Sequence, residues 1–433
     1  MSLYPLLQPE ALPQHMDGTV RLQGMIYKIR HMSGFAFVLL RMRRVVVQCT
    51  YVPDTAAFPL ESICEGAWVT FTGLVVAEAR SKTGYEVRLL AADVLSRPVV
   101  EAPAVINSAS SDIGLEGQLN NRPFVLRNVQ QRAIFAIQAS ITAAFRAFLD
   151  GEQFTEIHTP KIISTGAEGG ANIFALDYFG HPAFLAQSPQ CYKQMMVGVF
   201  ERVYEVGPVF RAEQHDTARH LNEYTSLDLE MGFIEGFEDV CALENALLVY
   251  MMAYLQEHNA PELQLLNARL PEPGSIPYIR FMDAKALLEK QRPVTDWQDF
   301  DPEEERLLCK IMRKQTGSEF VFVTHYPSAK RPFYAMDDPQ DTQVTLSFDL
   351  LFRGLEITTG GQRIHEYAPQ VAKMAAWGLH PEAFASYLQI HQTGMPPHGG
   401  LGLGLERLTM QLLGLPNIRQ TCLFPRDIGR LEP

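Results

Sequence analysis

Two short segments, separated by more than a third of the chain, constrain the fold more than anything else in this sequence. Residues 208–223 read PVFRAEQHDTARHLNE and residues 399–407 read GGLGLGLER. Each sets an arginine, Arg211 or Arg407, in polar or glycine-rich surroundings that suit a polyphosphate, whose charge a fixed guanidinium can neutralise. A fold that delivers both arginines to one ligand must be organised around a large sheet rather than a local loop. The glycines at 400, 402 and 404 fit that reading, because alternating glycines in a strand let another group approach the backbone closely.

At 433 residues the chain has room for two or three domains with buried cores. Its hydrophobic share of 47% and charged share of 20% are those of an ordinary globular protein. The six cysteines (Cys49, Cys64, Cys191, Cys241, Cys309, Cys422) form no CxxC and no Cys/His cluster. That argues against a zinc site or a disulfide framework and fits a reducing compartment. The N-terminus lacks a basic stretch followed by an apolar one, and no run approaches about 18 apolar residues. The expectation is a cytoplasmic protein with no membrane span. The net charge of −12 argues, taken alone, against a nucleic-acid partner. Its distribution softens this. Residues 1–100 hold 10 Lys/Arg against 8 Asp/Glu, or +2, which leaves 27 against 41, or −14, in the rest.

Residues 19–97 alternate as four or five short strands rich in Val, Phe, Tyr and Thr, which predicts a small barrel of the OB-fold kind. Residues 98–122 are rich in Pro, Ala, Ser and Asn and show no period. Apolar residues then recur at helical spacing (Ile134, Ile137, Ile141, Phe145, Phe148), and a strand, FTEIHTPKII with Pro160, is expected after them. Further strands (FERVYEVGPVFR, YTSLDLEMGFI, FVFVTHYP, VTLSFDLLFRGLEITTG, HGGLGLGLERL) are separated by long helical excursions. The expected class is α+β, with helices flanking an antiparallel sheet. The expected domains are 1–100 (barrel), 101–122 (hinge) and 123–433 (sheet domain).

The longer string FRAEQHDTARHLNEYTSLDLEM resembles motif 2, and GMPPHGGLGLGLER resembles motif 3, of class II aminoacyl-tRNA synthetases of the aspartyl/asparaginyl/lysyl subgroup. The helix–strand–proline segment resembles motif 1, the dimer interface of that family. The resemblance implies an ATP site: Arg211 on the α-phosphate, Arg219 and His220 on the outer phosphates, Glu213 beside them, Tyr224 stacked on adenine, Glu223 reading its amino edge, and Arg407 on the γ-phosphate. It places Mg²⁺ on Asp349, Glu356 and the hydroxyl of Thr359, where the family usually has serine. Seven positions separate Asp349 from Glu356, so on one continuous strand they would face opposite ways. A bulge or bend is needed, or only one of them lies in the site.

Two further strings, FLAQSPQCYKQMM with Gln190 and Lys193 and GGQRIH with Arg363, resemble the aspartate pocket of aspartyl-tRNA synthetases. A side-chain carboxylate is best gripped by a bidentate arginine with a second cation in support. Asparaginyl relatives replace the lysine string, so Lys193 discriminates. Asp228, and Glu168 in STGAEGGANIF, would receive the substrate ammonium, the glycines around Glu168 suiting a closing loop. In the barrel the resemblance puts Tyr27, Phe37 and Gln48 at the anticodon. Phe35 shares strand parity with Phe37, so the pattern leaves open which face they occupy. Arg43 and Arg44 stand where the family has a different turn.

The implied activity is ATP-dependent activation of L-aspartate and its transfer to tRNA-Asp by a homodimer. The resemblance to the short aspartyl enzymes that some bacteria carry tilts the expectation towards charging of tRNA-Asn as well, which would imply an amidotransferase that converts the mischarged product. Tyr27 decides nothing here, since strict relatives tend to have Trp and relaxed ones His. The rivals are an asparaginyl-tRNA synthetase, an aspartate-activating paralogue that makes free asparagine, and a non-enzymatic descendant. Lys193, the barrel, and the presence of both Arg211 and Arg407 argue against them in turn.

Overall fold

The computed structural model describes residues 4–43, 45–81, 83–108, 113–164 and 172–432. Glu168 and Arg44 lie outside them. The chain divides into two compact units, Met1–Val129 and Gln130–Pro433.

In the first unit β1 (Thr19–His31), β2 (Ala36–Met42), β3 (Val45–Tyr51), β4 (Trp68–Ala77) and β5 (Tyr85–Ser96) close into a barrel in the order β1-β2-β3-β5-β4. The period-two pattern sorts the side chains: Ala36, Val38, Leu40, Val47, Cys49, Val69, Phe71, Val87 and Leu89 fill the interior. Phe35 and Phe37 therefore both lie on the outer side, half-buried, with rings edge to face at 5.1 Å. Gln48 shares that side and donates to Glu86 at 3.4 Å. Tyr27 departs from expectation. It sits where the β1–β2 register shifts between Ile26 and Lys28, the residue is only 7% exposed, and its hydroxyl donates to the Ile106 carbonyl at 2.6 Å. Tyr27 is not part of the barrel core; the segment at Ile106 and Asn107, which also bonds the Tyr27 carbonyl, covers it.

The second unit is built on an eight-stranded sheet. Its strands, with those of two smaller sheets, are β6 (Thr155–Glu156), β7 (Ile162–Ile163), β8 (Ala175–Tyr178), β9 (His181–Leu185), β10 (Arg202–Phe210), β11 (Glu223–Gly232), β12 (Tyr278–Arg280), β13 (Phe320–Thr324), β14 (Asp337–Asp338), β15 (Asp341–Thr345), β16 (Ser347–Phe352), β17 (Leu355–Gln362) and β18 (His398–Gly404). The large sheet runs β12-β13-β16-β17-β18-β11-β10-β6. Its six central strands are antiparallel, but the two outermost pairings, β12–β13 and β10–β6, are parallel, so the sheet is mixed rather than purely antiparallel. The strand expected over FTEIHTPKII is also broken. Pro160, which has no N–H to give a ladder, falls between β6 and β7, and these belong to different sheets.

One face of the sheet is apolar. Leu227, Leu229, Phe348, Leu350, Ile357, Leu401 and Leu403 pack there against Ile137, Ile141, Phe145 and Leu149 of the helix Val129–Gly151 and against Val240, Leu247, Leu248 and Met251 of the helix Phe237–His258. By length and composition alone, Val129–Gly151 is long and apolar enough to cross a membrane, a test that buried core helices also pass. Five of its apolar side chains, Ile137, Ile141, Ala144, Phe145 and Leu149, are fully buried in this core. The opposite face of the sheet is polar and forms the floor of a cleft.

Candidate active site

Register decides what meets on that floor. Asp349 pairs with Thr359, Thr359 with Gly402, and Gly402 with Asp228, so one row across four strands carries four of these positions on the same face. Two residues along, Glu230 lies opposite Gly400. A Cβ on Gly400 would stand 2.2 Å from the Glu230 Oε2, and one on Gly402 would stand 3.1 Å from the Asp228 Oδ1. The alternating glycines thus make room for two carboxylates from the neighbouring strand.

The Asp349–Glu356 question is settled by two local features. The chain reverses at Arg353–Gly354, both at positive φ (49° and 86°), a turn of the kind that suits two-residue hairpins. The register then shifts by one residue, so Leu351 pairs with Glu356 and Leu350 with Thr358. That bulge returns Glu356 to the cleft face with Thr359, whose hydroxyl donates to Glu356 Oε1 at 3.1 Å.

One end of the cleft is a closed ion-pair network. Lys193, on the helix Gln190–Phe200, donates to Asp228 Oδ1 at 2.9 Å and to the Leu401 carbonyl at 2.8 Å, and its Nζ lies 3.4 Å from Glu230 Oε2. Arg363 Nε donates to Glu230 Oε1 at 2.9 Å and its NH2 to the Gly400 carbonyl at 2.9 Å. Gln190 reaches Glu230 Oε2 at 3.4 Å. All five side chains are buried. Burial alone would raise the Glu230 pKa, but Arg363 and Lys193 outweigh it and hold the carboxyl below its usual range. His398, buried nearby, is pushed down to about 4 by desolvation and is neutral.

The other end is more open. Arg407, on the first turn of the helix Leu405–Leu413, donates to the Glu356 carbonyl at 3.0 Å and lies 3.3 Å from Glu356 Oε1. Its neighbour Glu406 is buried, accepts from the Thr225 N–H at 3.1 Å, and is raised to about 7 mainly by burial. Arg211 directly follows β10, its carbonyl accepting from Asn222 Nδ2 at 2.6 Å. Arg219 lies against Glu305 Oε2 at 2.6 Å, an acceptor from the helix Pro302–Thr316 that the sequence did not announce. His220 bonds Thr217 Oγ1 at 2.6 Å, and burial, aided by Arg407, lowers its pKa.

Arg211, Glu213, Arg219, His220, Tyr224, Asp228, Gln190, Lys193, Asp349, Glu356, Thr359, Arg363 and Arg407 all line this one cleft of about 590 Å³. Glu223 does not. It is the exposed first residue of β11, pairs with Phe210, and has opposite strand parity to Tyr224. Sequence reasoning missed Glu230, the hub between the two pocket cations. Its signal was present, since it stands two positions after Asp228 and so shares its face. It also missed Arg331, which lines the cleft with its NH2 2.8 Å from Asp349 Oδ2.

Asp349 is raised by burial, an effect that Arg331 opposes and Glu356 reinforces. Its Oδ1 is buried with no hydrogen-bond partner. That orphaned oxygen, the Glu356 carboxylate and the Thr359 hydroxyl are the hard donors that Mg²⁺ takes, so the residues fit the ion. Among the described residues no group of three or more His, Cys, Asp or Glu is clustered for a metal, so two carboxylates could hold it only with help from phosphate oxygens and water.

Residues 114–428 match the family described as tRNA synthetases class II (D, K and N), and the chain belongs to that family. Within it, the chain is 48% identical over 429 residues to the aspartate–tRNA(Asp/Asn) ligase of Deinococcus radiodurans, covering 98% of this chain and 97% of that one. It is 46% identical to the aspartate–tRNA(Asp/Asn) ligase of Thermus thermophilus, with 98% of each covered. Among solved structures it resembles the asparaginyl-tRNA synthetase from Pyrococcus horikoshii complexed with asparaginyl-adenylate, with TM-score 0.91, 27% identity and 99% of both chains covered.

Proposed function

We propose that the protein is an aspartate–tRNA ligase that charges both tRNA-Asp and tRNA-Asn. The observation that carries the amino-acid assignment is the buried convergence of Lys193 and Arg363 on Glu230 at the closed end of the cleft. Two fixed cations there suit a side-chain carboxylate, and the rigid guanidinium fork can take it bidentately. An asparagine side chain, having no charge, needs no such pair. Asp228 takes the substrate ammonium, joined by Glu168. The relaxed tRNA choice rests on the two relatives at 48% and 46% identity, whose names cover both tRNAs.

In the first step an oxygen of the aspartate α-carboxylate attacks the α-phosphorus of ATP. The bond to the β-phosphate oxygen breaks and pyrophosphate leaves. Arg211 holds the α-phosphate and offsets its developing charge, and Arg407 holds the γ-phosphate. Tyr224 stacks on adenine, with His220 and Glu213 beside the phosphates. Asp349, Glu356 and Thr359 hold Mg²⁺, which supplies Lewis-acid neutralisation of phosphate charge when bound. In the second step the 3′-hydroxyl of the terminal adenosine attacks the aspartyl carbonyl, and AMP leaves. Positioning dominates this step, because Asp228, Glu230, Asp349 and Glu356 are each paired with a cation, and the hydroxyl proton leaves with the AMP phosphate.

The barrel reads the anticodon through the outward aromatic pair Phe35 and Phe37, on which an unpaired base can stack, and through Gln48 beside them. A cytoplasmic homodimer working with a tRNA-dependent amidotransferase completes the reading. The test is charging of separate tRNA-Asp and tRNA-Asn transcripts with radiolabelled aspartate. Charging of both is expected. Charging of tRNA-Asp alone sinks the relaxed reading, and aspartate-dependent pyrophosphate exchange without charging transfers the protein to the asparagine-making paralogues.

A further inference from the structure

Arg331 has no part in the chemistry above, yet it stands in the wall of the same cleft. Its residue is 9% exposed, its Cζ sits 3.9 Å over the Tyr326 ring, and its NH2 lies 2.8 Å from Asp349 Oδ2. The Asp349 pairing engages the NH2 end of the guanidinium, while its Nε is buried without a hydrogen-bond acceptor. A buried guanidinium that leaves a donor unused is costly unless its charge is wanted where it is. What that charge faces is Asp349 and, beyond it, Glu356.

We infer that Arg331 is a positioning residue that makes divalent-cation binding at Asp349 and Glu356 depend on nucleotide. It pins one Asp349 oxygen and leaves Oδ1 as the oxygen open to a metal. Its fixed positive charge, held in place by the tyrosine ring beneath it, opposes any cation arriving alone. A nucleotide polyphosphate adds negative charge on the far side of the metal position and reverses that balance. The metal therefore enters as a partner of the nucleotide, and the empty enzyme does not waste the site on a free ion. This inference rests on the reading of Asp349 and Glu356 as the metal-holding carboxylates.

The experiment is Mn²⁺ titration of the full-length, nucleotide-free protein, followed by the loss of the free-ion electron paramagnetic resonance signal. It is run on wild type, Arg331→Met, Arg331→Lys, and Arg331→Met combined with Glu356→Gln. Arg331→Met is expected to bind Mn²⁺ at least about tenfold more tightly than wild type, since removing a nearby unit charge relieves the repulsion. Arg331→Lys keeps the charge and should stay within about threefold of wild type. Unchanged or weaker binding in Arg331→Met, or equal tightening in Arg331→Lys, overturns the inference. If the tight binding survives Glu356→Gln, the ion sits elsewhere, and it is the metal assignment itself that fails. Circular dichroism on the same samples shows whether each variant is folded.

Discussion

The two ends of the cleft are built on the same sheet but by different means. At the closed end, Lys193, Asp228, Glu230 and Arg363 are buried and bond one another across β11, β18 and the end of β17. At the open end, Arg407 and Glu356 keep about a quarter and a third of their side chains exposed, and Arg219 leans on a glutamate from a separate helix. The difference separates two recognition problems. A small amino acid must be told from close analogues, which calls for desolvated, preorganised charge whose partners suffer when a contact is missing. A polyphosphate is large and highly charged, and solvent-accessible arginines attract it without needing a sealed pocket.

The most severe break of this contrast is Glu230→Ala. It leaves two buried cations with one carboxylate, and urea unfolding should show a loss of about 3–5 kcal/mol. An effect no larger than that of a surface substitution would mean the closed end is not a coupled network.

Arg363→Lys keeps the charge but not the fork. Aspartate-dependent pyrophosphate exchange should lose about 10²–10³-fold in kcat/KM for aspartate, with the KM for ATP nearly unchanged. A parallel rise in both KM values would erase the division between the ends.

Glu244 tests the sheet beneath the open end. It is buried on the apolar face, accepts from Thr358 Oγ1 at 2.6 Å, and is raised to about 8 by burial. Its unfolded value is near 4.5, so the folded state binds the extra proton between the two. The associated stability is fully present below pH 4.5 and is lost as pH rises through about 8. Glu244→Gln keeps an acceptor for Thr358 without the titration, so it should gain roughly 2–4 kcal/mol over wild type from pH 5 to pH 9. Parallel stability–pH curves would show that Glu244 stays charged.

The smallest effect belongs to the open end itself. Arg407→Lys should raise the KM for ATP by about tenfold and leave the KM for aspartate alone, because one solvent-accessible charge-assisted contact is weakened, not a network.

Much of the site was legible in the chain. Arg211, Lys193, Arg363 and Arg407 stood out because the strings around them resemble those of a known family, whereas taken singly each would more often be a surface charge; all four line one cleft. The barrel was equally readable, since short runs rich in Val, Phe, Tyr and Thr, punctuated by turn residues, read as strands. The burial of Tyr27 was not legible, for the opposite reason. Its cover comes from Ile106 and Asn107, about 80 residues along the chain, and it sits at a register shift that no local pattern announces.

The sequence by itself determined which residues could do chemistry and which faces would be apolar, because residue type and period are local properties. Only the tertiary structure decided the pairings: Glu230 between Lys193 and Arg363, Arg331 on Asp349, Glu305 on Arg219, and Glu356 returned to the cleft by a bulge. Each joins residues from different strands or helices. Strand register and long-range packing fix such contacts, and these are properties of the assembled sheet, which no single segment of the chain contains.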